Sequence, residues 1–172
     1  LRRTCGASRV MVEGIGEKVT VLPPLPRRCL LLVNPGFPVS TREIFAAFDD
    51  MPAVHDKDSS ILMGKAHLGD WDRLEAYLYN DLQAVAFHVY PNLKKISAWF
   101  LSEGLMPLMS GSGPSVYAFV SDIKEAKKIA ANMPGELGRI WVLSTVEKGV
   151  YHEREIIAGE AGTIPASTAS GI

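Results

Sequence analysis

Two cysteines in 172 residues, Cys5 and Cys29, are too few for a disulfide framework. Both stand in or beside apolar segments, where a reduced thiol packs as a small hydrophobe. No Cys/His cluster has zinc spacing, and His55, His67, His88 and His152 are scattered along the chain. An excess of one charge is lacking as well: 18 basic residues against 19 acidic ones leave a net charge of −1. No global positive field gathers nucleic acid or anionic lipid, so neither is expected as a partner. No uninterrupted apolar run approaches the roughly 18 residues of a membrane helix, and the opening LRRTCGASRV has no apolar stretch of the signal-peptide kind. What is abundant is apolar content, 47% against 22% charged, which predicts a packed core rather than disorder. The length suits one domain, or one domain plus part of another. The first residue is Leu rather than Met, as in a fragment or a processed piece.

Residues 8–14 (SRVMVEG) and 18–22 (KVTVL) read as strands around a turn at GIGE, and PPLP at 23–26 marks a connection. RCLLLVNPG is a buried strand stopped by Asn-Pro-Gly. In STREIFAAFDD, Ser40 and Glu43 have capping-box spacing and Ile44, Phe45 and Phe48 recur at helical spacing. Residues 49–70, with Pro52, Gly64, Gly69 and many charges, read as a loop or variable insertion. A short amphipathic helix over Asp70–Tyr79 comes next, then one capped by Asn80, with Asp81 at its acidic start. A third starts at Pro91, turns Leu93, Ile96, Trp99 and Phe100 to one face, and ends at Gly104. LMPLM and SVYAFV read as strands, and SDIKEAKKIAANM as a helix with an Asp122/Glu125 capping box and Ile123, Ala126, Ile129 and Ala130 inward. GRIWVLST is a last strand, which YHEREI continues or flanks. The order fits an α+β fold: an antiparallel sheet with helices on one face, in a ferredoxin-like split βαβ layout.

Joining LMPLM to SVYAFV is the stretch MSGSGPS. Gly111 and Gly113 lack Cβ atoms, so backbone N–H groups there can approach a ligand closely. Successive N–H groups in such a turn form a concave nest for anions, and Ser110, Ser112 and Ser115 add hydroxyl donors. The competing reading is a β-hairpin whose tight turn requires glycine. The stretch is neither a P-loop nor a dinucleotide fingerprint, and local chemistry leaves both readings open.

The order of four motifs adds to this. VEGIGEKVTVLPPLP, LLLVNPGFPVSTREIF, YNDLQAVAFHVYP and LMSGSGPSVYAFV follow one another in a way that resembles the C-terminal part of the 4-diphosphocytidyl-2-C-methyl-D-erythritol kinases, a branch of the GHMP kinase superfamily. The resemblance covers residues 6–145. GIGE together with NPG…ST…IF resembles this branch rather than homoserine or mevalonate kinases, whereas the Gly/Ser loop alone marks only the superfamily.

The resemblance implies a GHMP kinase C-terminal domain over residues 34–157, preceded by the end of an N-terminal kinase domain at 1–33; the small, polar, Pro-containing composition of 158–172 predicts a disordered tail. It implies a cytoplasmic enzyme of isoprenoid precursor synthesis that uses ATP and Mg²⁺ to phosphorylate the 2-hydroxyl of a cytidine-diphosphate-linked substrate. Gly111, Ser112 and Gly113 would lie near the ATP phosphates. Phe45 would stack on the cytosine with Thr41 on the same edge, although residue chemistry alone makes Phe45 a core residue and Thr41 a capping residue. Asn80 and Asp81 match an "ND" step expected to cap a helix and shape the domain interface. The family's catalytic Asp lies in a GADVPF-type segment upstream of GIGE, which is not found here, nor is the glycine-rich phosphate loop. The expectation is therefore a fragment with no catalytic residue and no metal ligand of its own, inactive without the N-terminal domain. Alternatives are a homoserine-kinase-like enzyme, a non-catalytic ferredoxin-like ligand-binding module, and a structural oligomerisation domain.

Overall fold

The structure, a computed structural model, describes residues 9–50, 59–70 and 74–146. The expected strand YHEREI, the tail at 158–172, Cys5, His55 and His152 lie outside them.

Strands β1 (Val10–Glu13) and β2 (Lys18–Val21) form an antiparallel ribbon, with Val10 opposite Val21 and Glu13 opposite Lys18. The turn between them needs Gly14 and Gly16, whose φ values are 67° and 99°. The Arg9 guanidinium donates to the Leu25 carbonyl (3.1 Å) and the Val146 carbonyl (3.4 Å), which ties this ribbon to the chain on either side of the main sheet.

The main sheet has β3 (Cys29–Asn34), β4 (Leu108–Met109), β5 (Val116–Val120) and β6 (Arg139–Ser144), in the order β4-β5-β3-β6 and antiparallel throughout. With helices between β3 and β4 and again between β5 and β6, this is the expected split βαβ arrangement. One boundary moves. Residues 29–33, read above with the leading segment, are the middle of this sheet, because a continuous apolar strand needs a partner on each edge.

Alternation along the strands sends Leu31, Val33, Val116, Ala118 and Val120 to a buried face. That face meets α4 (Pro91–Ser102) and α5 (Ile123–Ala131), with α3 (Leu82–Val89) packed on α4 and α1 (Thr41–Asp49) on α3. All four apolar residues expected on the inner face of α4 are buried there. On α5, Ala126 and Ile129 are buried, but Ile123 in the first turn is exposed. The second face of the sheet carries Leu30, Leu32, Tyr117, Phe119, Trp141 and Leu143, with Arg28 over the Phe119 ring (5.6 Å) and Arg139 over Trp141 (5.4 Å). Arg28 also forms an ion pair with Glu75, which holds the 3₁₀ turn Leu74–Tyr77 beside this face.

Two expectations about the middle of the chain are corrected. Within the stretch read as a loop, Ser59–Leu68 forms helix α2, with Gly64 in its interior. Its apolar residues follow no stripe: Ala66 is buried while Ile61 is exposed and Leu68 is 84% exposed, so periodicity had nothing to report. The helix expected over Asp70–Tyr79 is only the 3₁₀ turn among the described residues. Similarly, LMPLM yields a two-residue strand. Pro107 has no N–H to donate, and the Met109 N–H is taken by the Gln83 side chain (2.8 Å).

Candidate functional site

The Gly/Ser loop joins β4 to β5 and closes on itself. The Ser110 N–H donates to the Ser115 carbonyl (2.9 Å) and the Gly113 N–H to the Ser110 carbonyl (3.0 Å). Gly111 and Gly113 have φ of 57° and 92°, in the left-handed region that favours glycine. A Cβ on Gly113 would lie 3.1 Å from Met109 Sδ and 3.5 Å from Leu93 Cδ1, so this end of the loop is seated directly on the core. The loop is thus a tight hairpin connection, as one of the two sequence readings has it. It also leaves the N–H groups of Gly111 and Ser112 without a backbone acceptor among the described residues.

Three neighbours grip it. Asn80 Nδ2 donates to the carbonyls of Met109 (2.8 Å) and Gly111 (2.7 Å). Asn34 Nδ2 donates to Ser115 Oγ (3.0 Å), while its own Oδ1 accepts from the Gly36 N–H (2.8 Å). Thr41 Oγ1 and Ser112 Oγ are hydrogen-bonded at 2.8 Å. The last contact links the loop to α1.

Helix α1 starts as its sequence asks. Ser40 Oγ accepts from the Glu43 N–H (3.2 Å) at the N-cap. The capping box is not reciprocal, however. The Glu43 carboxylate accepts from the Tyr90 hydroxyl (2.5 Å), and Tyr90 accepts from the Ser40 N–H (3.3 Å), so a phenol stands between the two halves of the box. The Glu43 hydrogen bond raises the Tyr90 pKa above its ordinary value of 10.0. Thr41 and Phe45 are four residues apart and share one face of the helix. Ile44 is fully buried, whereas Phe45 is 50% exposed. Phe45 is therefore not the core residue that its type and spacing suggested.

Phe45 instead lines a cleft of about 590 Å³ together with Phe48, Tyr79, Asn80, Asp81, Leu108, Ser110, Gly111 and Tyr117. Of the residues singled out from sequence, Phe45 and Gly111 line this cleft, Thr41 and Ser112 join its two sides, and Gly113 anchors the loop beneath. Burial raises the Tyr117 pKa above 10.0, so its phenol stays protonated near neutrality and available as a donor. Asn80 does cap α3, its Oδ1 accepting from the Leu82 N–H (3.0 Å), while Asp81 makes no capping hydrogen bond. The grip of Asn80 on the loop, and the cleft positions of Tyr79 and Tyr117, were not read from sequence. The loop partners of Asn80 are 29 and 31 residues away, and the positions of the two tyrosines are set by the fold.

The chemistry of the cleft is that of a flat apolar wall facing a set of hydrogen-bond donors. It suits a planar ring carrying or adjoining an anionic group. Among the described residues no group of three or more His, Cys, Asp or Glu side chains could hold a metal ion. No described helix is long and apolar enough to cross a membrane.

The family described as "GHMP kinases C terminal" matches residues 62–139, from α2 to the start of β6. The chain carries a GHMP kinase C-terminal domain. Named relatives extend the likeness beyond this segment. A Moorella thermoacetica protein named 4-diphosphocytidyl-2-C-methyl-D-erythritol kinase is 36% identical over 125 residues, 70% of this chain and 44% of that protein. A Clostridium botulinum protein of the same name is 32% identical over 143 residues, 83% of this chain and 51% of that protein. A solved 4-(cytidine 5'-diphospho)-2C-methyl-D-erythritol kinase superposes with a TM-score of 0.60 at 25% identity, over 78% of this chain and 48% of that one. L. major mevalonate kinase, solved with R-mevalonate, superposes with the same TM-score at 17% identity over 79% of this chain and 48% of its own, a likeness of fold. With its GHMP kinase domain, the chain spans about half the length of the curated relatives it matches.

Proposed function

We propose that this chain is the C-terminal, substrate-side portion of a kinase that transfers the ATP γ-phosphate to the 2-hydroxyl of 4-diphosphocytidyl-2-C-methyl-D-erythritol. The observation that carries the proposal is the cleft in which a half-exposed aromatic ring stands with a Gly/Ser loop, two of whose N–H groups have no backbone acceptor among the described residues, joined by the Thr41–Ser112 hydrogen bond. The names of the relatives support this substrate over that of another GHMP kinase.

Phosphoryl transfer of this kind forms a bond between the acceptor oxygen and the γ-phosphorus. It breaks the bond from that phosphorus to the bridging oxygen, releases ADP and moves the hydroxyl proton to a base. In our reading this chain contributes positioning, and the base and the metal site belong to the N-terminal domain. Phe45 stacks on the cytosine, a contact of about 1–3 kcal/mol in comparable base–aromatic pairs. Thr41 fixes the loop against the helix that carries Phe45. The N–H groups of Gly111 and Ser112 face phosphate oxygens, and Gly113 allows the loop to sit close on Met109 and Leu93. ATP fits this loop through those donors, and Mg²⁺ would be held elsewhere. We place the boundary between the two domains in the connection between β2 and β3, since β3 is integral to the four-stranded sheet.

Calorimetric titration of the 172-residue chain with cytidine diphosphate, and separately with adenosine and uridine diphosphates, tests the substrate side. Preference for the cytidine ligand, lost in Phe45→Ala, is expected. Equal binding of all three, or binding that survives the substitution, contradicts the assignment.

A further inference from the structure

We infer that Asn80 is a positioning residue that aims the Ser112 N–H at the anion, an inference that rests on the phosphate reading of the Gly/Ser loop. In a trans peptide the C=O and the following N–H point in opposite directions. The Gly111–Ser112 peptide is trans, the cis bond among the described residues being Gly113–Pro114. Asn80 Nδ2 holds the Gly111 carbonyl at 2.7 Å, so the Ser112 N–H is turned away from Asn80. The preceding peptide is fixed in the same manner: the Ser110 carbonyl accepts from the Gly113 N–H inside the turn, which turns the Gly111 N–H outward.

Two successive N–H groups thus point outward because their carbonyls are tied. One carbonyl is tied by the loop itself, the other by a side chain from a different element.

Asn80 suits this task better than its neighbours could. Its amide has two N–H donors and one oxygen, and all are used: one donor for Met109 O (2.8 Å), one for Gly111 O, and the oxygen for the Leu82 N–H that starts α3. The side chain is therefore held from the helix side and in turn holds the loop. Gln83, in the first turn of α3, secures the Met109 N–H (2.8 Å), so β4 enters the loop in a fixed orientation. An aspartate at position 80 would cap the helix equally well but would have no donor for either carbonyl. This separates the capping role from the positioning role.

The test uses two variants in the whole 172-residue chain. Asn80→Ser keeps a neutral cap and removes the reach to the loop. Asn80→Asp keeps the acceptor and removes both donors. Amide ¹H–¹⁵N spectra report the direction of the Ser112 N–H, pyrophosphate is the probe for the anion, and thermal melting separates loop effects from unfolding. Both variants are expected to melt as folded proteins, to shift the Ser112 amide without ligand, and to bind pyrophosphate at least about tenfold more weakly. If pyrophosphate moves the wild-type Ser112 amide but both variants bind it equally, the positioning role is overturned while the phosphate reading stands. If pyrophosphate leaves the wild-type loop amides unmoved, the phosphate reading itself fails, and this inference with it.

Discussion

Phe45 and Gly113 are the residues at which the functional and structural demands are most distinct. The Phe45 ring is half-exposed on a helix whose buried contact is made by Ile44, so little of the core depends on it. Phe45→Ala is expected to leave urea unfolding nearly unchanged while weakening cytidine diphosphate binding by about 1–3 kcal/mol. A matching loss of stability would return Phe45 to the core. Gly113 behaves in the opposite way. With φ at 92° and Met109 Sδ only 3.1 Å from where an alanine methyl would stand, Gly113→Ala combines backbone strain with a close contact. The expected cost is about 1–3 kcal/mol, read as a lower urea midpoint. Neither distinction is visible in residue type alone, since phenylalanine at helical spacing beside Ile44 looks like core, and the need for glycine in the turn does not reveal the contact of position 113 with Met109 and Leu93.

At the level of elements, helix starts and core stripes were legible because their causes are local. Ser40 and Asp122 both cap as their spacing indicated, Asp122 Oδ1 accepting from the N–H groups of Lys124 (2.7 Å) and Glu125 (2.9 Å). Asp122→Ala should cost about 1 kcal/mol by thermal or urea unfolding. The return half of each box does not form, because a tertiary or neighbouring hydroxyl intercepts the glutamate: Tyr90 takes Glu43, and Ser121 takes Glu125. The first of these carries a pH signature. The folded state holds the Tyr90 proton more tightly than the unfolded chain does, so its contribution is complete below pH 10.0 and is lost as pH rises through the higher folded pKa. Tyr90→Phe should therefore lose less stability than the wild type on alkaline titration above that point, monitored by circular dichroism. Helix α2 was not legible because its described apolar residues form no periodic stripe: Ala66 is buried while Ile61 and Leu68 are exposed. The stripe on α4 was clear, and Phe100→Ala in that stripe should cost about 3–5 kcal/mol.

For the molecule as a whole, the alternation of strands and helices predicted a split βαβ sheet, and pairing in the order β4-β5-β3-β6 is that arrangement. The position of β3 within it could not be read from local sequence. A strand's partners are chosen by chain topology, and here they lie at residues 116–120 and 139–144. The same topology brings residues 41–48, 79–82 and 108–117 around one cleft, although they are far apart in the sequence. The central claim is that the two sides of this cleft bind the two halves of one reaction. The direct measurement is a two-step amide and aromatic NMR titration of the chain, first with cytidine diphosphate and then with ATP. The expected result is that the cytidine ligand moves the Phe45 and Tyr79 ring signals and ATP then moves the Gly111, Ser112 and Gly113 amides. Signals that move elsewhere, or a cleft that responds to neither ligand, would contradict it.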